Sequence, residues 1–228
     1  RQRQMCIRDS LTDGKELPGA SLQVLDSTGT VVEEWISTEE PHMIRGLLVG
    51  ETYTLVETKP ADGYTTAESI EFKVEDTAEV QKHQMLDDVT KVEISKTDVT
   101  DSKEVPGAKL TILDKDGKVV ESWVSDKDPH MVEKLPVGTY TLREEQAPDG
   151  YLVAEEVSFE VKDTGEIQKA EMKDARPVGK LVLKKTDAED GSPFAGAEFE
   201  LRIKKSGKAV ATLVTDEDGV ATSGDIPI

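Results

Sequence analysis

The sequence predicts an all-β protein built as tandem seven-stranded Ig-like β-sandwiches. Three observations carry this: the chain repeats itself at domain length, each repeat is a series of short β-rich runs between turn residues, and the apolar content suits several small cores. With 36% hydrophobic and 33% charged residues in 228, there is enough apolar material for two or three domains of roughly 80–100 residues each and too little for one large core.

The repeat comes first. LTDGKELPGASLQVLDSTGTVVEEWISTEEPHMIRGLLVGETYTLVETKPADGY, opening at Leu11, aligns with VTDSKEVPGAKLTILDKDGKVVESWVSDKDPHMVEKLPVGTYTLREEQAPDGY, opening at Val99, with one inserted residue near Glu51. A third copy opens at Lys180 with KLVLKKTDAEDGSPFAGAEFEL. Units of this length fold as separate domains and do not stack as solenoid layers. The expected domains are 11–90, N-terminally incomplete; 91–178, complete; and 180–228, C-terminally truncated. Their linkers, Val89-Thr90 and residues 175–179 with Pro177, are short, which favours an extended rod. Residues 1–10, RQRQMCIRDS, end where the repeat match begins and hold the only cysteine, Cys6. They read as a non-native leader, in the manner of translated sequencing-adaptor read-through.

Within the second copy, β-rich runs fall at 92–95, 109–113, 119–124, 131–135, 139–144, 157–161 and 167–173. Between them stand Asp116-Gly117, Pro136-Val137-Gly138, Pro148-Asp149-Gly150 and Thr164-Gly165, residues that supply a preset or positive φ where the chain reverses. Seven such runs in about 80 residues describe a sandwich.

Three polar residues interrupt its apolar faces. Side chains two apart on a strand share a side, so Lys96 follows Val92 and Ile94, Glu144 follows Tyr140 and Leu142, and Asp174 follows Ala170 and Met172, each on the inward face. Separate unpaired charges in a core cost several kcal/mol each, so the three are expected to meet and neutralise one another. Burial favours the neutral, nucleophilic form of an amine and the protonated form of a carboxyl. A lysine amine could then attack the Asp174 carboxyl carbon while Glu144 shuttles protons and water leaves. An ordinary buried salt bridge, or a lysine snorkelling at a strand end, is the simpler alternative.

KTD at 96–98, YTLREEQAPDGY at 140–151 and MKDA at 172–175 resemble the Cna protein B-type domains, also called SpaA-type or prealbumin-like, of Gram-positive surface adhesins and pilins. The resemblance covers nearly the whole chain. It implies an intramolecular isopeptide bond, with Lys96 as amine donor, Asp174 as acceptor and Glu144 as catalyst. Glu57 and Asp87 repeat the spacing of Glu144 and Asp174, so Glu57 is the equivalent glutamate of the first domain. Lys96 precedes Gly107 by the same interval as Lys185 precedes Gly196, whereas the residue at that interval before Gly19 is Arg8. Arginine stays protonated and offers no free lone pair, so the first copy is expected to form no bond. Its box is altered as well, with Lys59-Pro60-Ala61 where the family has Ala-Pro. The third copy holds Lys185 without partners. Asp87 and Lys185 are therefore members of partial sets, and the middle domain alone is complete.

Lys+Arg 28 against Asp+Glu 47 leaves a net charge of −19, which repels nucleic acid and anionic membranes. One cysteine gives neither an internal disulfide framework nor a zinc-binding thiol pair. No apolar run is long enough to cross a bilayer, so no membrane insertion is expected in this stretch. His42 and His130 recur in Trp-x-Ser-x-x-x-Pro-His, after Trp35 and Trp123. Without paired ligands these histidines read as turn or packing residues, and the tryptophans as core. The acidic stretches 98–101 and 187–190 complete no calcium-loop pattern and read as solvated loops. No metal and no cofactor are expected.

The expected function is a structural stalk or spacer of a cell-wall-associated bacterial surface adhesin, stabilised by the Lys96–Asp174 bond. Its localisation would be extracellular, cell-wall-anchored or secreted. A sortase-assembled pilin subunit and a ligand-binding surface module are the alternatives. Expected partners are neighbouring domains of the same surface protein, and host matrix or cell-surface ligands reached through domains not present here. Enzymatic turnover is not expected, since the only chemistry consumes the chain's own residues.

Overall fold

Alternating strands with one apolar face must bury that face against another sheet, and each of the first two repeats does so within itself. The computed structural model describes residues 2–10 and 15–227, without the side chains of residues 2, 3, 8, 10 and 227. The first module contains β1 (Gln2–Ser10), β2 (Ser21–Leu25), β3 (Val31–Ile36), β4 (His42–Leu48), β5 (Thr52–Lys59), β6 (Ile70–Lys73) and β7 (Gln81–Leu86). Sheet β4-β1-β7 faces sheet β3-β2-β5-β6. The second module repeats the plan with β8 (Lys91–Asp98), β9 (Lys109–Leu113), β10 (Val119–Val124), β11 (His130–Glu133), β12 (Gly138–Gln146), β13 (Val157–Val161) and β14 (Ile167–Asp174). Its sheets are β11-β8-β14 and β10-β9-β12-β13.

In each module the first strand lies centrally between an antiparallel neighbour and the last strand, with which it runs parallel. The first and last strands therefore lie side by side, and the chain enters at one end of the module and leaves at the other. The cores are separate: Met5, Leu22, Ile44, Leu55 and Met85 centre the first, and Val92, Ile94, Leu110, Ile112, Leu142 and Met172 the second.

All seven strands expected in the second copy are present. β8 runs three residues beyond its expected end, because its ladder with β14 continues to the pair Asp98–Asp174. The sequence reading set residues 1–10 apart from the first module, yet residues 2–10 form β1, and Met5 and Ile7 alternate into the core. Residues 11–14, where the first copy of the repeat opens, lie outside the described residues. The third copy contains β15 (Val178–Gly179), β16 (Val182–Lys184), β17 (Glu198–Arg202), β18 (Ala209–Val214), β19 (Val220–Thr222) and β20 (Ile226–Pro227), paired β15–β20, β16–β19 and β17–β18.

The first two modules meet closely. Thr90 donates its amide to Gly63 O (3.1 Å) and its hydroxyl to Leu135 O (2.6 Å), while its own carbonyl accepts Lys134 N (3.0 Å). Gly63 has φ +87°, and a Cβ there would lie 2.4 Å from Lys134 O, so only glycine admits this approach.

Candidate functional site

β8, β12 and β14 carry Lys96, Glu144 and Asp174 to one point in the second core. Lys96 is 1% exposed, Glu144 4% and Asp174 0%. Lys96 Nζ lies 3.1 Å from Glu144 Oε1 and donates a short hydrogen bond to Asp174 Oδ1. Each position follows from its ladder: Lys96 pairs with Met172, two residues before Asp174, and Glu144 pairs with Leu110 across β9. Glu144 Oε2 is fixed by Ala154 N at 2.7 Å.

Burial raises the Asp174 carboxyl above its ordinary value against the pull of Lys96, and the charge of Glu144 adds to the rise. Asp174 Oδ2 accepts no hydrogen bond. The arrangement brings an amine, a carboxyl biased toward protonation and a second, oriented carboxylate together in a dry site.

The first module has the same cage with a different occupant. Its parallel ladder pairs Asp9 with Met85, as Lys96 pairs with Met172. The carbonyl of Asp9 accepts Leu17 N (2.8 Å), matching Lys96 O with Val105 N (2.7 Å) and Lys185 O with Phe194 N (3.0 Å). The residue at the amine position is thus Asp9, and Arg8 stands one place earlier. Counting back from Gly19 selects Arg8 because the connection from strand to turn, 9 to 17, is one residue shorter than 96 to 105 or 185 to 194.

Asp9, Glu57 and Asp87 are buried, with carboxylate oxygens all within 4.8 Å of one another, close enough for a cation to bridge. Both oxygens of Asp9 and Asp87, and Oε1 of Glu57, accept no hydrogen bond, while Ala67 N holds Glu57 Oε2 at 2.5 Å. Burial, with repulsion from its neighbours, pushes Glu57 up to about 7 and Asp87 to about 9; burial raises Asp9 too. This cage holds acids that retain protons and no nucleophile.

In the third copy, Lys185 is half-buried, donates to Thr186 O (2.9 Å) and lies 5.3 Å from the centroid of the Phe194 ring.

The recurring Trp-x-Ser-x-x-x-Pro-His segment builds packing. His42 stacks on Trp35 at 4.3 Å and meets Glu33 at 2.9 Å; His130 stacks on Trp123 at 4.4 Å and meets Glu121 at 2.7 Å. Both tryptophans are partly buried against the cores, at the margin and not at the centre. The serine of the motif, unremarked in the sequence, fastens the Pro-Gly-Ala turn. Ser125 Oγ donates to Val105 O (2.6 Å) and accepts Ala108 N (2.9 Å), as Ser37 does with Leu17 O (2.6 Å) and Ala20 N (2.9 Å). Thr215 makes the same pair of bonds in the third copy. Its recurrence in the aligned copies was the available signal.

One loop expectation is overturned. Asp98, read as part of a solvated loop, is 2% exposed, because it accepts hydrogen bonds from Thr100 N, the Tyr151 hydroxyl and Arg176 Nε.

The family model described as SpaA, prealbumin-like fold domain, matches residues 7–88, 90–176 and 179–228. Among solved structures, the Bacillus anthracis TIE protein is similar over 99% of this chain and 44% of its own, at 28% identity and a TM-score of 0.60. The chain thus spans less than half of that protein. The shaft pilin SpaA of Lactobacillus rhamnosus GG is similar over 78% of this chain and 98% of its own, at 13% identity and a TM-score of 0.39. BcpA, the major pilin subunit of Bacillus cereus, covers 78% of this chain and 100% of its own at 12% identity and a TM-score of 0.36. No curated protein matches the chain.

Proposed function

Since the chain belongs to the family of SpaA prealbumin-like fold domains, we propose that it is a structural spacer segment of an extracellular, cell-wall-associated bacterial surface protein, whose second module crosslinks itself. The observation that carries this reading is the contact of Lys96 Nζ with both Glu144 and Asp174 in a site closed to water.

In the reaction, the Lys96 amine attacks Cγ of Asp174. Its surplus proton passes through Glu144 to the departing hydroxyl, the C–N bond forms as the C–O bond breaks, and one water leaves. The amide replaces two groups whose desolvation opposes burial. It also closes a loop over nearly the whole module, a constraint worth about 4–5 kcal/mol by analogy with a disulfide of that span. Tension applied at the module's ends then passes through a covalent bond instead of a hydrogen-bonded ladder. The second module reacts once and consumes its own residues, so the chain is no enzyme, and its working partners are the adjoining domains of the surface protein.

Intact mass of the denatured chain tests this. The parent is expected to be lighter than its sequence by one water, with a branched tryptic peptide joining Lys96 to Asp174, and Glu144→Ala is expected to restore the full mass. A parent at full mass overturns the proposal.

A further inference from the structure

A second polar triad ties together the same three segments that carry the crosslink residues. Asp98 stands two residues after Lys96, Arg176 two residues after Asp174, and Tyr151 closes the box that contains Glu144. Asp98 Oδ2 accepts the Tyr151 hydroxyl at 2.8 Å and Arg176 Nε at 2.9 Å, and Arg176 Nη2 reaches the Tyr151 oxygen at 2.8 Å. The guanidinium carbon lies 5.0 Å from the centroid of the Tyr151 ring. Asp98 is itself fixed: Oδ1 accepts Thr100 N at 2.7 Å, and its carbonyl accepts Ser102 N at 2.9 Å. Two backbone bonds flank the cluster, Val99 N to Asp174 O and Leu152 N to Ala175 O, both 2.9 Å.

We propose that Asp98, Tyr151 and Arg176 are positioning residues for the crosslinking reaction, holding the end of β14 so that the Asp174 carboxyl faces Lys96 and Glu144 before the bond exists. Asp174 ends its strand. Without a tie beyond it, the last residue of a parallel edge strand frays, and the attack distance is lost with it. The buried charge of Asp98 needs the cation that Arg176 supplies, and Tyr151 locks that pair to the segment bearing the glutamate. In the first module Val89 occupies the place of Arg176, so the tie belongs to the module whose cage contains an amine.

This inference rests on the crosslink reading, and the test separates the two. The full chain is made by cell-free synthesis in a short pulse and sampled over time by intact mass under denaturing conditions. Arg176→Ala is expected to slow loss of the water by about tenfold or more, with Arg176→Lys recovering part of the rate because it keeps a cation beside Asp98. The same Arg176→Ala change in a Glu144→Ala background, where no chemistry occurs, is expected to leave near-UV circular dichroism unchanged, a result that a merely structural role would not give. If Arg176→Ala fails to fold, Tyr151→Phe, which removes one hydroxyl, carries the test and is expected to slow the reaction as well. A folded variant that loses water as fast as the parent overturns the positioning role and leaves the crosslink standing. A parent that never loses water overturns both.

Discussion

The first and second modules have the same strands, the same parallel pairing of first and last strand and the same two acids, yet the third position of the cage is Asp9 in one and Lys96 in the other. With a lysine, the charges compensate and a condensation is within reach. With an aspartate, three carboxyls are forced together, and protons must be retained to keep the core intact. The two cages thus differ at one side chain, which places an amine between the acids in one and a third carboxyl in the other. This shows that the fold supplies geometry while the occupant supplies chemistry.

The sharpest way to break the comparison is to exchange the occupant. Asp9→Lys places an amine beside Glu57 and Asp87, and the full chain is expected to lose a second water by intact mass. The unfolding free energy of the first module should rise by about 4–5 kcal/mol. A chain still missing only one water would show that the altered box at Lys59-Pro60-Ala61, or the absence of an arginine at Val89, also disables the site.

Acidity separates the modules next. The native values of about 7 for Glu57 and about 9 for Asp87 lie above their ordinary 4.5 and 3.8. The folded first module thus binds more protons than the unfolded chain between about pH 4 and pH 9. Its stability is greatest at the acidic end and is lost as pH rises through the two native values. Thermal unfolding is expected to show the first module's transition falling steadily from pH 5 to pH 9. The second module, if its Asp174 carboxyl is consumed by the proposed crosslink, should show no corresponding fall. A first-module transition that holds or rises over this range would contradict the protonated cage.

The smallest effect checks that the scaffolds are otherwise equivalent. Ser37→Ala and Ser125→Ala each remove a buried hydroxyl that bridges the same turn. Each is expected to cost about 1–3 kcal/mol, measured by denaturant unfolding with the second module tested in the Glu144→Ala background. Clearly unequal costs would mean that the modules differ beyond their cages.

Much of this was legible in the sequence, for a physical reason: strand alternation is a local signal. The seven runs of the second copy, and the inward placement of Lys96, Glu144 and Asp174, follow from side chains two apart sharing a face. What escaped depended on contacts between distant segments. Asp9 was hidden because the loop after β1 is one residue short, which shifts any count made from Gly19. Asp98 looked like loop acid because its partners, Tyr151 and Arg176, lie 53 and 78 residues away. Met5 and Ile7 alternate in the manner of any strand, but a stretch outside the repeat match gave no reason to read them so.

The parallel neighbours β8 and β14 also set how far the second module can stretch. With Lys96 joined to Asp174, a pull on the chain enters along β8, crosses the amide and leaves at Ala175, so residues 97–173, 77 in number, never come under load. Fully drawn out they would add roughly 250–280 Å of contour length. Under the proposed crosslink the bond would withhold that slack, and the second module would behave as a link of fixed length beside a first module that can still extend.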